Sequence, residues 1–293
     1  MDPDSGGYIN CSLLLKASVL TVSFTAFSFY RHEKQFDVLK AVLSKKDIVV
    51  TKTITPAKKL HKEHLHKKTI YLTFDDGPDK GSRNVMDILE EEDVPATLFM
   101  IGQNIYGSRM QEALYDSARQ CSLFEIANHS YTHAFRNHYD LFYAEPDSAV
   151  HDFERCADSL KLNSHIVRTP GRNIWRTENV SSTDLKNSIA MGDSLYSKGF
   201  EAIGWDAEWH FDKNQRLVQT DSEMVSMIDS AFAHNRTKTG GHLVLLAHDR
   251  CFAKSDDSAR LHRFISALKK KDEYDFETVS SYPGLTKDSV VTK

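Results

Sequence analysis

Residues 69–78 read TIYLTFDDGP. A run of aliphatic, aromatic and β-branched residues without polar alternation is the composition of a strand buried on both faces. It stops at two adjacent carboxylates and a Gly-Pro pair, which favour a tight turn. The same pattern recurs downstream. Residues 96–101, 124–127, 166–168, 200–205, 243–247 and 276–280 are short apolar runs, and amphipathic segments lie near 82–92, 108–120, 148–162, 182–198, 221–235 and 257–271. Asp147 or Ser148, and Asp221 or Ser222, stand where helix N-caps are expected. Strand and helix alternating about seven times specify an α/β fold built on a parallel sheet or barrel.

If the fold is a barrel, its chemistry belongs on the loops that follow the strands. Polar residues just past each run are therefore the candidates: Asp75 and Asp76, His129 and His133, Arg168, Asp206, and His248. Asp75 and Asp76 are adjacent at a strand end, so one can hold a metal while its neighbour faces water; solvated turn carboxylates are the plainer reading. His129 and His133 have the i, i+4 spacing that puts two imidazoles on one helical face, within reach of one ion. Two His and one Asp leave coordination positions open, as a catalytic divalent site requires. His138 and His151 fit no such spacing and read as surface residues.

The 293 residues suffice for one large α/β domain or two modest ones. Thirty-seven basic against forty-one acidic residues give −4, too balanced for a nucleic-acid binder. Four scattered Cys form no CxxC pair, which excludes a Cys-ligated zinc module and a disulfide-stapled miniprotein. Residues 17–30 (ASVLTVSFTAFSFY) are apolar between Lys16 and Arg31, the pattern of a signal peptide or membrane anchor over 1–30; a buried N-terminal helix is the alternative. Residues 31–68 carry eleven Lys and Arg against four Asp and Glu, which reads as a basic linker over 31–67, either solvated or drawn to an anionic surface. The expected placement is outside the cytoplasm, in the cell envelope, periplasm or extracellular space, either free or associated with the membrane through the N-terminus.

Two segments together, Thr73–Pro78 and His129-Ser130-x-x-His133, resemble the first and second motifs of the polysaccharide deacetylase family (NodB homology domain, carbohydrate esterase family 4). The resemblance covers roughly residues 68–285 and implies a distorted (β/α) barrel of about seven parallel strands. It also implies that Asp76, His129 and His133 hold one divalent ion, zinc foremost with cobalt, nickel or manganese compatible, and that Asp75 is the catalytic base. Arg168-Thr169-Pro170 matches the third motif, with Arg168 orienting the base; the aromatic usual after the proline is missing, and Arg172 or Trp175 is the candidate replacement for that groove wall. In the fourth motif, Asp206 is expected to hold Arg168 and Trp209 to line an acetyl pocket. In the fifth, Leu246 lines the pocket and His248 is the general acid.

The reading is thus a metal-dependent hydrolase removing N-acetyl groups from an N-acetylglucosamine-containing polysaccharide such as chitin, peptidoglycan or poly-N-acetylglucosamine. An O-acetyl esterase acting on acetylated xylan needs the same residues, and a carbohydrate-binding protein on an inactive copy of the fold is the third reading.

Overall fold

The computed structural model describes residues 67–286. The proposed leader over 1–30 and nearly all of the basic linker lie outside these residues. The strands, in chain order, are β1 (Lys68–Gly77), β2 (Ala96–Met100), β3 (Phe124–Asn128), β4 (Ile166–Val167), β5 (Ile174–Arg176), β6 (Ser181–Thr183), β7 (Glu201–Ala202), β8 (Ala207–Glu208), β9 (His242–His248) and β10 (Tyr274–Phe276). The helices are α1 (Ser82–Glu91), α2 (Arg109–Gln120), α3 (Tyr139–Ala144), α4 (Pro146–Leu160), α5 (Ile189–Ser197), α6 (Asp221–Ala233) and α7 (Ser255–Lys269). The sheet runs β6-β5-β7-β4-β3-β2-β1-β9-β8, with β10 also on β1. All its pairings are parallel except β5–β6 and β5–β7. The sheet is curled and flanked by helices, a distorted (β/α) barrel with an antiparallel β5–β6 edge that the apolar runs do not signal.

Alternation along β1 sets up everything else. Ile70, Leu72 and Phe74 face one core shared with Val85, Met86 and Leu89 of α1 and with Leu261, Phe264 and Ile265 of α7. Tyr71 faces a second core inside the curl with Phe99, Ala127, Ile166, Trp175 and Val244. Successive side chains on a strand point to opposite faces. Thr73 and Asp75 therefore continue the inner face of β1, Arg168 that of Ile166, and Leu246 and His248 that of Val244. Register brings Thr73 opposite Leu246 and Asp75 opposite His248. Asp76 breaks the rhythm: its φ is +73 and the β1–β2 register slips between Asp75 and Gly77. This bulge at a strand end lets both carboxylates face one cleft.

The expected caps move by a residue or two. Helix α4 begins with Pro146 in its first turn, where its fixed φ is preorganised for the helix and its missing N–H is no loss, and it has no side-chain cap. Thr220, not Asp221 or Ser222, caps α6, and Glu223 closes a capping box with it.

Candidate active site

An open cleft of about 690 Å³ lies at the C-terminal ends of β1, β3 and β9. Asp75, Asp76, His129, His133, Leu246 and His248 line it. Within it, Nε2 of His133 is 3.1 Å and Nε2 of His129 3.4 Å from Oδ1 of Asp76. Nδ1 of His129 lies 2.9 Å from the Arg168 carbonyl, and Nδ1 of His133 lies 2.5 Å from Oδ1 of Asn137. Both are acceptors, so each imidazole carries its proton on Nδ1 and turns a lone pair on Nε2 toward Asp76. Burial pushes His129 down to about 4 and His133 below its ordinary value, so both are neutral at neutral pH.

Oδ1 of Asp76 is buried and has no hydrogen-bond donor. Three acceptor atoms within 4.8 Å of one another, one of them an orphaned carboxylate oxygen, fit a shared cation.

The path to this triad is not the α-helical i, i+4 geometry. His129 ends an extended strand, Ser130 has φ +61, and His133 to Asn137 all have φ between +51 and +68. A left-handed turn of residues with side chains is costly and persists only where its surroundings enforce it. Here Oδ2 of Asp152 accepts from both N and Oγ1 of Thr132 at 3.0 Å, the Asp152 carbonyl takes the Tyr131 N–H, and Oδ1 of Asn128 takes the Ser130 N–H.

Arg168 is completely buried. Its guanidinium donates to Oδ1 of Asp75 at 3.0 Å, to Oγ1 of Thr73 at 2.6 Å, and to the carbonyls of Ile203 and Gly204. It thus fixes Asp75 beside the triad. His248 stands on the other side of Asp75, its ring edge-on to Phe211 at 5.0 Å. Its Nδ1 is buried and unpartnered within the protein. Burial lowers its imidazole below the ordinary value, against a raising influence from Asp75.

Three expectations about side chains need correction. Asp206 does not hold Arg168; its carboxylate accepts the N–H groups of Lys238 at 2.7 Å and Val244 at 2.9 Å, closing the loop that enters β9. Trp209 is fully buried against Phe252 and Phe264, because alternation after β8 turns Glu208 to the cleft and Trp209 to the core. Trp205 and Phe211 supply the indole and phenyl surfaces of the cleft instead. Trp175 is buried in the inner core, and Arg172 folds back on the Gly171 carbonyl and lies over the Tyr143 ring. The wall there is Tyr139: a Cβ on Gly171 would lie 2.9 Å from its ring. Tyr139, Asn137, Asp152 and Arg250 escaped the sequence reading because none adjoins a strand end in a ligand spacing.

The fold and this site define a hydrolase of the deacetylase type. The family model for polysaccharide deacetylases matches residues 62–177, and the chain is similar to members of that family over most of its length. It is 26% identical over 250 residues to YheN of Bacillus subtilis, covering 83% of this chain and 76% of that protein. It is 40% identical over 147 residues to a chitooligosaccharide deacetylase of Rhizobium leguminosarum bv. phaseoli, covering 48% of this chain and 60% of the relative. Among solved structures, the Xyl-CE4 domain of a multidomain xylanase from the hindgut metagenome of Trinervitermes trinervoides is 26% identical with a TM-score of 0.50, covering 73% of this chain and 88% of that one.

Proposed function

We propose that the protein is a metal-dependent deacetylase that removes N-acetyl groups from N-acetylglucosamine units of an acetylated polysaccharide or oligosaccharide. The observation that carries the reading is the convergence of two neutral imidazoles with the Asp76 carboxylate, an arginine-held carboxylate and a further histidine in one open cleft. A chitooligosaccharide deacetylase among its relatives supports the substrate class.

Asp76, His129 and His133 would hold a divalent ion, zinc by the nitrogen-rich donor set. Such an ion, when bound, acidifies water and polarises an acyl carbonyl. Asp75, fixed by Arg168, takes the proton from the attacking water. His248 faces the same space from β9 and delivers a proton to the departing sugar amine, which cannot leave as an amide anion. Leu246, Trp205, Phe211 and Tyr139 give the acetyl group and the sugar apolar surface to lie against. We further propose that residues 1–30 direct the protein out of the cytoplasm, the apolar run between Lys16 and Arg31 being the support.

Acetate release from chitooligosaccharides, peptidoglycan fragments and acetylated xylan, with and without a chelator, tests the activity. The expected result is chelator-sensitive release from an N-acetylated glycan. Release from xylan alone would favour the O-esterase, and no release from any of them with zinc present would overturn the proposal.

A further inference from the structure

Each metal donor of the proposed site needs something behind it to hold its orientation, and two of the partners are already described: the Arg168 carbonyl behind His129 and Asn137 behind His133. The third donor, Asp76, has Arg250. Its Nη2 contacts Oδ2 of Asp76, while Oδ1 of the same carboxylate faces the two imidazoles. The carboxylate is thereby divided, one oxygen toward the cation of the protein and one toward the donor set.

Arg250 is placed for this by packing. It follows His248 and Asp249 in a short turn whose Cys251 and Phe252 are buried in the helical-side core. The turn is joined to the loop that carries Asp76. Ser82 donates to Oδ2 of Asp249, and a Cβ on Gly81 would run into the Asp249 backbone carbonyl. The two loops therefore hold a fixed spacing, and the Arg250 guanidinium reaches Asp76 from an anchored base.

We propose that Arg250 is a positioning residue for the metal site: it holds Oδ2 of Asp76 so that Oδ1 alone is presented with His129 and His133. The proposal rests on the metal-binding reading above. Hydrogen-bond partners behind metal ligands typically contribute 10- to 100-fold in affinity. A guanidinium also brings a positive charge near a divalent ion, so an arginine that merely competed for Asp76 would have the opposite effect. The sign of the change decides between the two.

The test uses the full chain, stripped of metal, titrated with zinc against a chromophoric chelator. Arg250→Gln is expected to weaken zinc binding by about 10- to 100-fold. Arg250→Lys is expected to recover part of that loss, since it keeps the cation and an N–H donor. Thermal melting of the metal-free proteins should be little changed by either substitution, which separates positioning from misfolding. Zinc binding as tight as or tighter than the unsubstituted protein in Arg250→Gln would overturn the proposal, as would a Lys variant no better than Gln. The His129→Ala protein gives the zero of the titration. An unsubstituted chain that binds no more zinc than this variant would overturn the metal site itself and Arg250's role with it.

Discussion

Asp75 and His248 sit side by side across the β1–β9 ladder, yet their roles require opposite protonation states. The base must be ionised and the acid protonated, so kcat/KM is expected to be bell-shaped in pH. The alkaline limb should report His248. Burial lowers its pKa, so the protonated fraction is lost at a lower pH than for an exposed imidazole, and the limb should fall correspondingly early. His248→Ala should remove that limb and cut turnover by about 10²- to 10⁴-fold. A pH–rate profile of the variant with its alkaline limb intact would assign the acid elsewhere. Asp206 illustrates the contrary case. Burial raises it to about 6, and its carboxylate serves two backbone N–H groups, not Arg168. Asp206→Asn should therefore lower the melting temperature while leaving kcat within a few-fold; a large loss of kcat at unchanged stability would restore the coupling to Arg168 that the sequence suggested.

At the scale of elements, the site is a product of strand parity plus two departures from it. Parity was legible: TIYLTFDD and LVLLAH each announce a buried strand, and the polar residue closing each run has to emerge at its C-terminal end. That is why the sequence alone puts Asp75, His129 and His248 at strand ends. The departures were not legible. The bulge at Asp76 and the left-handed turn at His133–Asn137 are conformations that side-chain-bearing residues adopt only under tertiary constraint, and for the turn part of that constraint comes from α4, twenty residues away. β4 and β7 fall within the apolar runs 166–168 and 200–205, whereas the two-residue β8 and the β5–β6 hairpin were too short to carry a periodic signal. Asp152 makes the dependence testable. Without its carboxylate, the Thr132 N–H and hydroxyl lose their shared acceptor, and only the local bonds from the Ser130, Ala134 and Phe135 N–H groups to Asn128, Ser130 and Thr132 are left to hold the turn. Asp152→Ala is expected to cost about 1–3 kcal/mol of stability and to weaken zinc binding, although Asp152 touches no metal ligand. Calorimetry paired with a zinc titration checks both; normal zinc affinity in a destabilised protein would show that the turn holds itself.

For the molecule as a whole, the cleft is built where three independent pieces of chain meet: the loop after β1, the turn after β3 and the turn after β9. Asp249 joins the first and third, buried against Ser82 and within contact of the space a Gly77 side chain would need. Burial, with smaller contributions from the charges of Asp79 and Asp75, raises its carboxyl to about 7, while the Ser82 hydroxyl opposes the shift. In the unfolded chain this carboxyl has the ordinary value near 4. Between those two values the folded protein binds a proton that the unfolded chain has released. Folding stability must then decline as pH rises across that window, and above about 7 the buried anion costs its full amount. Asp249→Asn keeps the shape and removes the ionisation. The variant should lose the part of the decline between pH 4 and 7 that Asp249 causes, and be more stable than the unsubstituted protein at pH 8, by a few kcal/mol at most because relaxation and water soften the penalty. Denaturant melts at a series of pH values measure this directly. If the two proteins lose stability in parallel from pH 5 to 8, the buried carboxyl is not a source of the dependence, and the junction of the two loops tolerates its charge.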